Sequence, residues 1–330
     1  MTRKVEMNLY PLKFTPILKD KIWGGEKLGT ILNKSIGESK ICGESWEISG
    51  VDGDVSLVSE GSLAGETLVA LIDQFKGELI GDKVYQKFGN KFPLLIKFID
   101  ANDDLSIQVH PNDELGMKRH NSFGKTEMWY VVDAEEGATL ISGFNKQTNK
   151  KEYLNIFESG NLQDILNREE VYNDDVFFLP AGRVHTIGKG LLIAEIQQTS
   201  DITYRIYDFD RVDKNGVGRE LHVEEAVDAI DYNFYDEYKT SYDKSVKEVE
   251  VGKSQYFVTN RLLIEEEVTR NYTIIDSCII LMCLKGEGTI QFSSESISYQ
   301  LGDSILIPNS ISEVTIIPSS KSKLLEVSIP

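Results

Sequence analysis

Short runs of β-favouring residues recur through most of this chain and constrain its fold more than any other feature. Six of them lie within residues 93–197, namely PLLIKFID, LSIQVH, EMWYVVD, ATLISGF, VFFLPA and GLLIAEIQ. β-Branched and aromatic residues pack well on a pleated surface, and short runs of them between turn residues are typical of strands. This pattern predicts a mainly β barrel or sandwich.

Two segments depart from the β pattern. In residues 65–88, apolar side chains such as Leu68, Ile72 and Phe75 recur every three or four positions, which predicts one or two amphipathic helices. Residues 148–170 are strongly charged and helix-prone, and they predict an inserted helical pair.

A charged stretch after residue 231 separates this region from a second series of β-rich runs that ends at Pro330. We therefore predict two domains. Residues 1–235 would form the larger one, with the helical insertions, and residues 236–330 a small all-β domain.

The charge balance restricts the partners. The chain has 35 Lys and Arg against 53 Asp and Glu, a formal net charge of −18 at pH 7. Nucleic acid and membrane are therefore not expected as partners, because both require a broad basic surface. An anionic substrate would require Lys and Arg side chains concentrated in its pocket.

Cysteine usage and hydropathy indicate a cytoplasmic location. The three cysteines, Cys42, Cys278 and Cys283, show no CxxC spacing, and their odd number cannot form a complete set of disulfides. The first residues lack the apolar run of a signal peptide, and no apolar run has the length of a membrane span.

Two of the four histidines lie in contexts typical of metal ligands. In SIQVHP, period-two alternation places Gln108 and His110 on one strand face. Glu127 opens the following KTEMWY strand, which a hairpin could return beside His110, and His185 follows the turn in PAGRVH. Two imidazoles, a carboxylate and an amide oxygen suit zinc, although iron, manganese and cobalt also fit this donor set.

These segments resemble the two motifs of the cupin family, with Gln108 at a position where that family commonly has histidine. SIQVHP followed by KTEMWY is similar to the type I mannose-6-phosphate isomerases (phosphomannose isomerases) in their short bacterial form. The further segments WGG, GESWE and QTSDITYRIYD are also similar to that family. The resemblance is strong over residues 10–235 and weaker beyond them.

The resemblance implies a fold and an activity. The fold would be two cupin-type jelly-roll β-barrels with inserted helices in the N-terminal part. The activity would interconvert mannose 6-phosphate and fructose 6-phosphate through a cis-enediol(ate). One Zn²⁺ per chain, held by Gln108, His110, Glu127 and His185, would stabilise the developing negative charge as a Lewis acid.

The resemblance also implies two catalytic residues. Arg205 matches the active-site arginine of the family, and strand alternation would place it on one face with Thr203 and Tyr207. A guanidinium stays protonated, so stabilising the enediolate or orienting phosphate suits it better than acting as a base. Glu195 matches a pocket carboxylate and could shuttle a proton if an apolar site raises its pKa.

Three further residues match pocket positions of the family, which implies that they bind substrate. Lys97 and Lys125 lie next to the ligand-bearing strands, and Ser106 shares the strand face of Gln108. With Arg205, and with Arg183 as a further candidate, they could receive the phosphate of a small sugar phosphate.

The C-terminal series keeps the spacing of a second cupin motif, but Ser312 stands where the metal histidine would be. Residues 240–330 contain no histidine, so we predict a metal-free second barrel. Two alternatives stay open, because a fold does not determine a function. One is another metal-dependent cupin enzyme, such as a glucose-6-phosphate isomerase or an oxygenase, and the other is a non-catalytic sugar-binding cupin.

Overall fold

A computed structural model of the chain describes residues 8–212 and 215–330. These residues are mainly β, as predicted, and form four sheets of four to six strands and a ribbon of Gly50–Val51 with Asp54–Val55. Neighbouring strands in all of them are antiparallel. Two sheets contain strands of the N-terminal part alone, which is residues 8–235.

The first of these, the inner six-stranded sheet, contains four of the predicted strands beside one another. Alternation along them sends Ile99 and Trp129 into a core that is shared with the second N-terminal sheet. Phe98 and Tyr130 point the other way, into a core that is shared with the C-terminal part. The strands in spatial order are Val176–Leu179, Glu127–Ala134, Leu191–Gln198, Leu94–Ala101, Cys42–Ile48 and Ile17–Gly25.

The second N-terminal sheet has five strands and packs on the inner six-stranded sheet through residues such as Leu140 and Ile187. Its strands in spatial order are Leu166–Glu170, Thr139–Phe144, His185–Ile187, Ile107–Val109 and Tyr204–Tyr207. All six predicted strands between residues 93 and 197 are therefore confirmed.

The prediction of helices in residues 65–88 is confirmed. Leu68, Ile72 and Leu79 of the apolar stripe are buried, and the Thr67 side chain accepts a hydrogen bond from the N–H of Ala70 at the first helix. The helices of the structure are Lys27–Thr30, Leu68–Phe75, Gly77–Ile80, Asp82–Phe88, Asp113–His120, Lys150–Glu158 and Val223–Ala229, with a 3₁₀ turn at Leu162–Ile165. None of the described helices is long and apolar enough to cross a bilayer.

The predicted helical pair at residues 148–170 is wrong in its second half. Lys150–Glu158 is a helix, capped by the Asn149 side chain, but Leu166–Glu170 is a strand paired with Thr139–Phe144. The paired strand buries Leu166 and satisfies the backbone in a ladder, and this tertiary contact outweighs the helix propensity of the charged residues.

The C-terminal part, residues 236–330, forms most of the other two sheets. The six-stranded C-terminal sheet runs in the order Leu12–Lys13, Ser304–Ile307, Ile279–Lys285, Ser322–Ser328, Val258–Ile264 and Glu248–Lys253. The four-stranded sheet that packs on it runs in the order Val268–Asn271, Glu313–Pro318, Glu287–Phe292 and Glu295–Gln300.

One strand of the N-terminal part completes the C-terminal sheet, because Leu12 and Lys13 pair with Leu306 and Ile305. The apolar core between the two parts is also continuous. The division at residue 235 stays a prediction.

Candidate metal centre

Gln108, His110 and His185 come from adjacent strands of the five-stranded sheet. Ile107 and Val109 are fully buried in the core on the far face of their strand, so Gln108 and His110 point to the near face. His185 lies directly opposite Gln108 in the neighbouring strand. The two imidazole rings are therefore close, with 4.8 Å between their centroids.

Glu127 reaches the same point from the inner six-stranded sheet. The hairpin that was expected to return it beside His110 is wrong, since the helix Asp113–His120 intervenes and the two strands lie in different sheets. Glu127 Oε2 lies 3.7 Å from His110 Nε2, and Oε1 lies 3.2 Å from His185 Nε2. Ligand atoms of these three buried residues all lie within 4.8 Å of one another, so one ion could bridge the two sheets.

Both histidines are held in the tautomer that a metal requires. His110 Nδ1 lies 2.8 Å from the carbonyl oxygen of Ile202, and His185 Nδ1 lies 2.8 Å from that of Arg183. A carbonyl can only accept, so each Nδ1 carries the proton and each Nε2 presents a lone pair. Burial lowers the pKa of His110 well below its ordinary value and that of His185 to about 3, so both rings are neutral at pH 7.

One unpartnered imidazole nitrogen and one adjacent amide support a metal at this point. His110 Nε2 is buried without a hydrogen-bond partner, a costly state that a metal ion would relieve. Gln108 Nε2 lies 3.3 Å from His185 Nε2, and rotating the amide would present its oxygen there instead. The residues present therefore fit a divalent ion with two nitrogen and two oxygen donors.

A row of charged and aromatic side chains crosses the inner six-stranded sheet beside this centre. Glu195 lies directly opposite both Lys97 and Trp129 in the strand register. Trp129 Nε1 donates to Glu195 Oε1 at 3.3 Å, and Lys97 Nζ lies 3.5 Å from Glu195 Oε2. Lys125 Nζ lies 3.2 Å from Glu127 Oε2, so two buried ion pairs adjoin the histidines.

Two buried carboxylates in this region, Glu195 and Glu127, have pKa values shifted in opposite directions. Burial opposes the ionisation of Glu195, but Lys97 and Lys125 outweigh it and lower its pKa to about 2. The pKa rise expected from an apolar site is therefore wrong for Glu195. Burial raises the pKa of Glu127 against the attraction of Lys125. A bound divalent cation would favour the ionised form of Glu127.

A cavity of ≈ 260 Å³ is lined by Trp129 and Glu195 of this row and by Gln108 of the candidate metal centre. The structure brings every predicted substrate-binding and catalytic residue to its lining, namely Lys97, Ser106, Lys125, Glu195 and Arg205. Their roles stay predictions, but the concentration of Lys and Arg that an anionic substrate requires is present in this acidic chain.

Three charged residues that were not assigned to the pocket from the sequence also line the cavity, namely Lys21, Asp201 and Arg219. Asp201 lies in QTSDITYRIYD, one of the segments that carried the resemblance, and Lys21 lies two positions before Trp23 of WGG. Arg219 lies in no segment that was singled out, and only the tertiary structure places it at the cavity.

Arg205 lies opposite Gln108 in the adjacent strand. Its Nη1 donates to the carbonyl oxygen of Glu220 at 2.8 Å, while its Nε is buried without a partner. The register shifts after Arg205, and Tyr207 packs on the Phe209 ring at a centroid distance of 5.2 Å. The expectation that Tyr207 shares the face of Arg205 in the cavity is therefore wrong.

Arg183 does not line the cavity, contrary to its suggested place near the phosphate. Its guanidinium lies 4.6 Å from the ring centroids of both Tyr235 and Tyr238. These cation–π contacts hold the backbone whose carbonyl oxygen orients His185.

Two facing antiparallel sheets with a His–Glu–His cluster and a glutamine between them define an enzyme of the cupin class with a candidate metal site. Residues 11–146 match the family model "Phosphomannose isomerase type I, catalytic domain", and residues 247–324 match "Mannose-6-phosphate isomerase, cupin domain". The chain belongs to the mannose-6-phosphate isomerase family, type I.

Characterised relatives and solved structures agree with this membership. The mannose-6-phosphate isomerase ManA of Bacillus subtilis is 34% identical over 311 residues, covering 93% of this chain and 96% of the relative. The mannose-6-phosphate isomerase of Streptococcus mutans is 34% identical over 303 residues, covering 91% of this chain and 93% of the relative. The crystal structure of the B. subtilis mannose 6-phosphate isomerase superposes with a TM-score of 0.86 at 32% identity, covering 97% and 99% of the two chains.

Proposed function

We propose that this chain is a zinc-dependent aldose–ketose isomerase that interconverts mannose 6-phosphate and fructose 6-phosphate. One observation carries this proposal, namely that the cluster of His110, Glu127 and His185 adjoins a cavity lined by cationic side chains. The cationic lining favours a phosphorylated sugar, and relatives at 34% identity are named as mannose-6-phosphate isomerases.

The metal would be held by His110, His185, Glu127 and the amide oxygen of Gln108. A mixed nitrogen and oxygen donor set suits zinc, and four protein ligands leave room for expansion toward a sugar oxygen. When bound, the ion would supply Lewis-acid stabilisation of the charge that develops on the sugar oxygens.

The side chains of the pocket would handle the charge and the proton. Isomerisation moves a proton between C1 and C2 through a cis-enediol(ate). Arg205 stays protonated, so we assign it the stabilisation of negative charge on the substrate. We assign the proton relay to Glu195, which is ionised at neutral pH, the form that accepts a proton, and which Trp129 and Lys97 hold in place.

Lys125 is better suited to electrostatic stabilisation than to acting as a base. Burial opposes its protonation, but Glu127 and Glu195 outweigh burial and raise its pKa, so it stays charged at neutral pH. Ser106 lines the cavity beside Gln108 and can donate its hydroxyl to a sugar or phosphate oxygen.

A coupled assay that detects fructose 6-phosphate formed from mannose 6-phosphate tests the proposal. We expect turnover by the zinc-loaded enzyme, loss of turnover after chelation and recovery with zinc, with glucose 6-phosphate as the comparison substrate. His185→Ala should remove activity. His120→Ala is the matched control, because His120 Nε2 is hydrogen-bonded to the Tyr204 hydroxyl at 2.8 Å and His120 does not belong to the metal-ligand cluster. Absence of turnover in the zinc-loaded enzyme would contradict the proposal.

A further inference from the structure

The three lysines that line the cavity are each neutralised by a neighbouring carboxylate. The pairs are Lys21 with Glu44 at 3.3 Å, Lys97 with Glu195 at 3.5 Å and Lys125 with Glu127 at 3.2 Å. A phosphate that approached these lysines would compete with carboxylates already in place. Net positive charge for a phosphate must therefore come from elsewhere in the pocket.

The two arginines that line the cavity, Arg205 and Arg219, supply net positive charge for a phosphate. Among the described residues, Arg205 has no carboxylate within ion-pair distance, and Arg219 shares Asp208 with a second arginine, Arg211. Asp208 thus accepts from two guanidinium groups and acts on Arg205 only through its charge. Arg211 also lies 3.6 Å from Asp103. Arg205 and Arg219 are close enough that, after burial, repulsion from Arg219 contributes most to lowering the pKa of Arg205.

Asp208 holds Arg219 and Arg211 in fixed orientations. Its carboxylate is 5% exposed and accepts from Arg219 Nε at 2.7 Å and from Arg219 Nη2 as well, a forked contact. Arg211 Nη2 donates to Asp208 Oδ1 at 2.6 Å, and Arg211 Nη1 donates to the backbone oxygen of Asp104. Asp208 directly follows the strand Tyr204–Tyr207, so the arrangement is anchored to the strand that carries Arg205.

We propose that Arg205 and Arg219 form the phosphate subsite of the cavity and that Asp208 is its positioning residue. This inference rests on the proposed function, since it assigns the phosphate of that substrate to two side chains. Planar guanidinium groups match phosphate oxygens in a fork, and a carboxylate that fixes the planes lowers the entropy lost on binding. Lys97 and Lys125 then serve the metal end of the cavity, where their carboxylate partners lie.

Because Asp208 is negatively charged, the direction in which Asp208→Asn changes phosphate affinity tests its role. If Asp208 acted only as a nearby negative charge, Asp208→Asn would strengthen phosphate binding. As the positioning residue, its removal frees Arg219 and Arg211 to rotate and weakens phosphate binding. Asp208→Glu keeps the charge and should restore part of the affinity.

Two measurements on the zinc-loaded enzyme test the subsite, calorimetric titration with inorganic phosphate and steady-state kinetics with mannose 6-phosphate. For Arg219→Ala we expect the Kd of phosphate and the KM to rise about 10- to 100-fold, with kcat changed less than about threefold. For Asp208→Asn we expect both to rise about three- to tenfold. Arg219→Lys should fall between the wild type and Arg219→Ala, because it keeps the charge without the fork.

Asp228→Asn is the matched control. Asp228 also binds two cations, Arg119 at 2.6 Å and Lys150 at 3.1 Å, but it does not line the cavity. We expect its KM and phosphate affinity to equal those of the wild type. Circular dichroism and zinc content would verify that each variant is folded and loaded.

The outcomes separate this inference from the proposed function. Unchanged phosphate affinity in folded Arg219→Ala, tighter binding by Asp208→Asn or no binding of phosphate by the wild type would overturn the subsite. A wild type that binds phosphate through Arg219 without isomerising mannose 6-phosphate would retain the subsite and overturn the proposed function.

Discussion

The N-terminal and C-terminal parts both pack two antiparallel sheets face to face, yet the buried carboxylates of the two parts have different surroundings. Between the C-terminal sheets the interior is apolar, with residues such as Leu281, Ile290 and Ile316. The nearby carboxylate of Glu326 is satisfied by the protein, since it accepts from Arg270 at 2.7 Å and from the Tyr272 hydroxyl at 2.8 Å.

Between the N-terminal sheets, by contrast, His110 Nε2 has no partner and two glutamates are buried among lysines. Such a site costs stability, because unpaired buried polar groups lose hydration without gaining a bond. The difference teaches that the buried carboxylate of Glu326 is satisfied by protein donors, whereas His110 and Glu127 have buried ligand atoms without a hydrogen-bond partner, which an ion could use.

The largest effect should come from removing the shared metal ligand. Glu127→Ala deletes the one carboxylate that bridges both histidines, and we expect loss of tightly bound metal and a fall in kcat/KM of about 10³-fold or more. Metal analysis by mass spectrometry and the coupled assay would measure it. Retention of one equivalent of zinc by this variant would contradict the assigned ligand set.

The second effect is acid sensitivity that is greater in the N-terminal part of the metal-free protein than in the C-terminal part. The folded-state pKa of His185 is about 3 against 6.5 when unfolded, so its contribution to stability is lost as pH falls from 6.5 to 3. Glu195, with a pKa of about 2 against 4.5, loses its contribution below pH 4.5. Glu127 has a raised pKa and opposes these losses only above pH 4.5.

Stability should therefore fall most steeply between pH 4.5 and 3, by about 1.4 kcal/mol per pH unit for each fully titrating group. All three tryptophans lie in the N-terminal part and residues 240–330 contain no histidine. Tryptophan fluorescence and hydrogen exchange of Ile279–Lys285 would compare the two parts. Equal acid sensitivity in both parts would contradict the comparison.

The third effect concerns the stability of the C-terminal part, which we expect to change without a change in zinc content. Glu326→Ala leaves Arg270 and the Tyr272 hydroxyl without their buried acceptor, and we expect the free energy of unfolding to fall by about 3 kcal/mol. Zinc content and KM should stay at wild-type values. Denaturant unfolding would measure the free energy of unfolding, and metal analysis would measure the zinc content. A loss of zinc would contradict the comparison, because it would show that metal binding in the N-terminal part depends on Glu326.

The smallest effect should follow from Ser312→His, which restores the residue type of the second cupin motif. Ser312 is exposed, and among the described residues the His110, Glu127 and His185 cluster is the one group of three ligating side chains with metal-binding geometry. We expect a stability change of at most about 0.5 kcal/mol and zinc to stay at one equivalent. A second tightly bound zinc would contradict the prediction of a metal-free C-terminal part.

Local pattern predicted the parts of this molecule whose cause is local. Period-two alternation placed Gln108 and His110 on one face, because successive side chains of any strand point to opposite sides. The apolar stripe of Leu68, Ile72 and Leu79 predicted buried helical positions for a similar reason, the 3.6-residue period of the helix.

What the sequence alone determined was which residues share a face, where the strands lie and which side chains could ligate a metal. Tertiary structure alone decided that Glu127 reaches the histidines from the opposite sheet, that Leu166–Glu170 pairs as a strand and that Arg219 lines the same cavity as Arg205. The physical reason is the distance along the chain over which each interaction acts. Alternation is a property of neighbouring residues, whereas sheet partners are selected by contacts between segments that are distant in sequence.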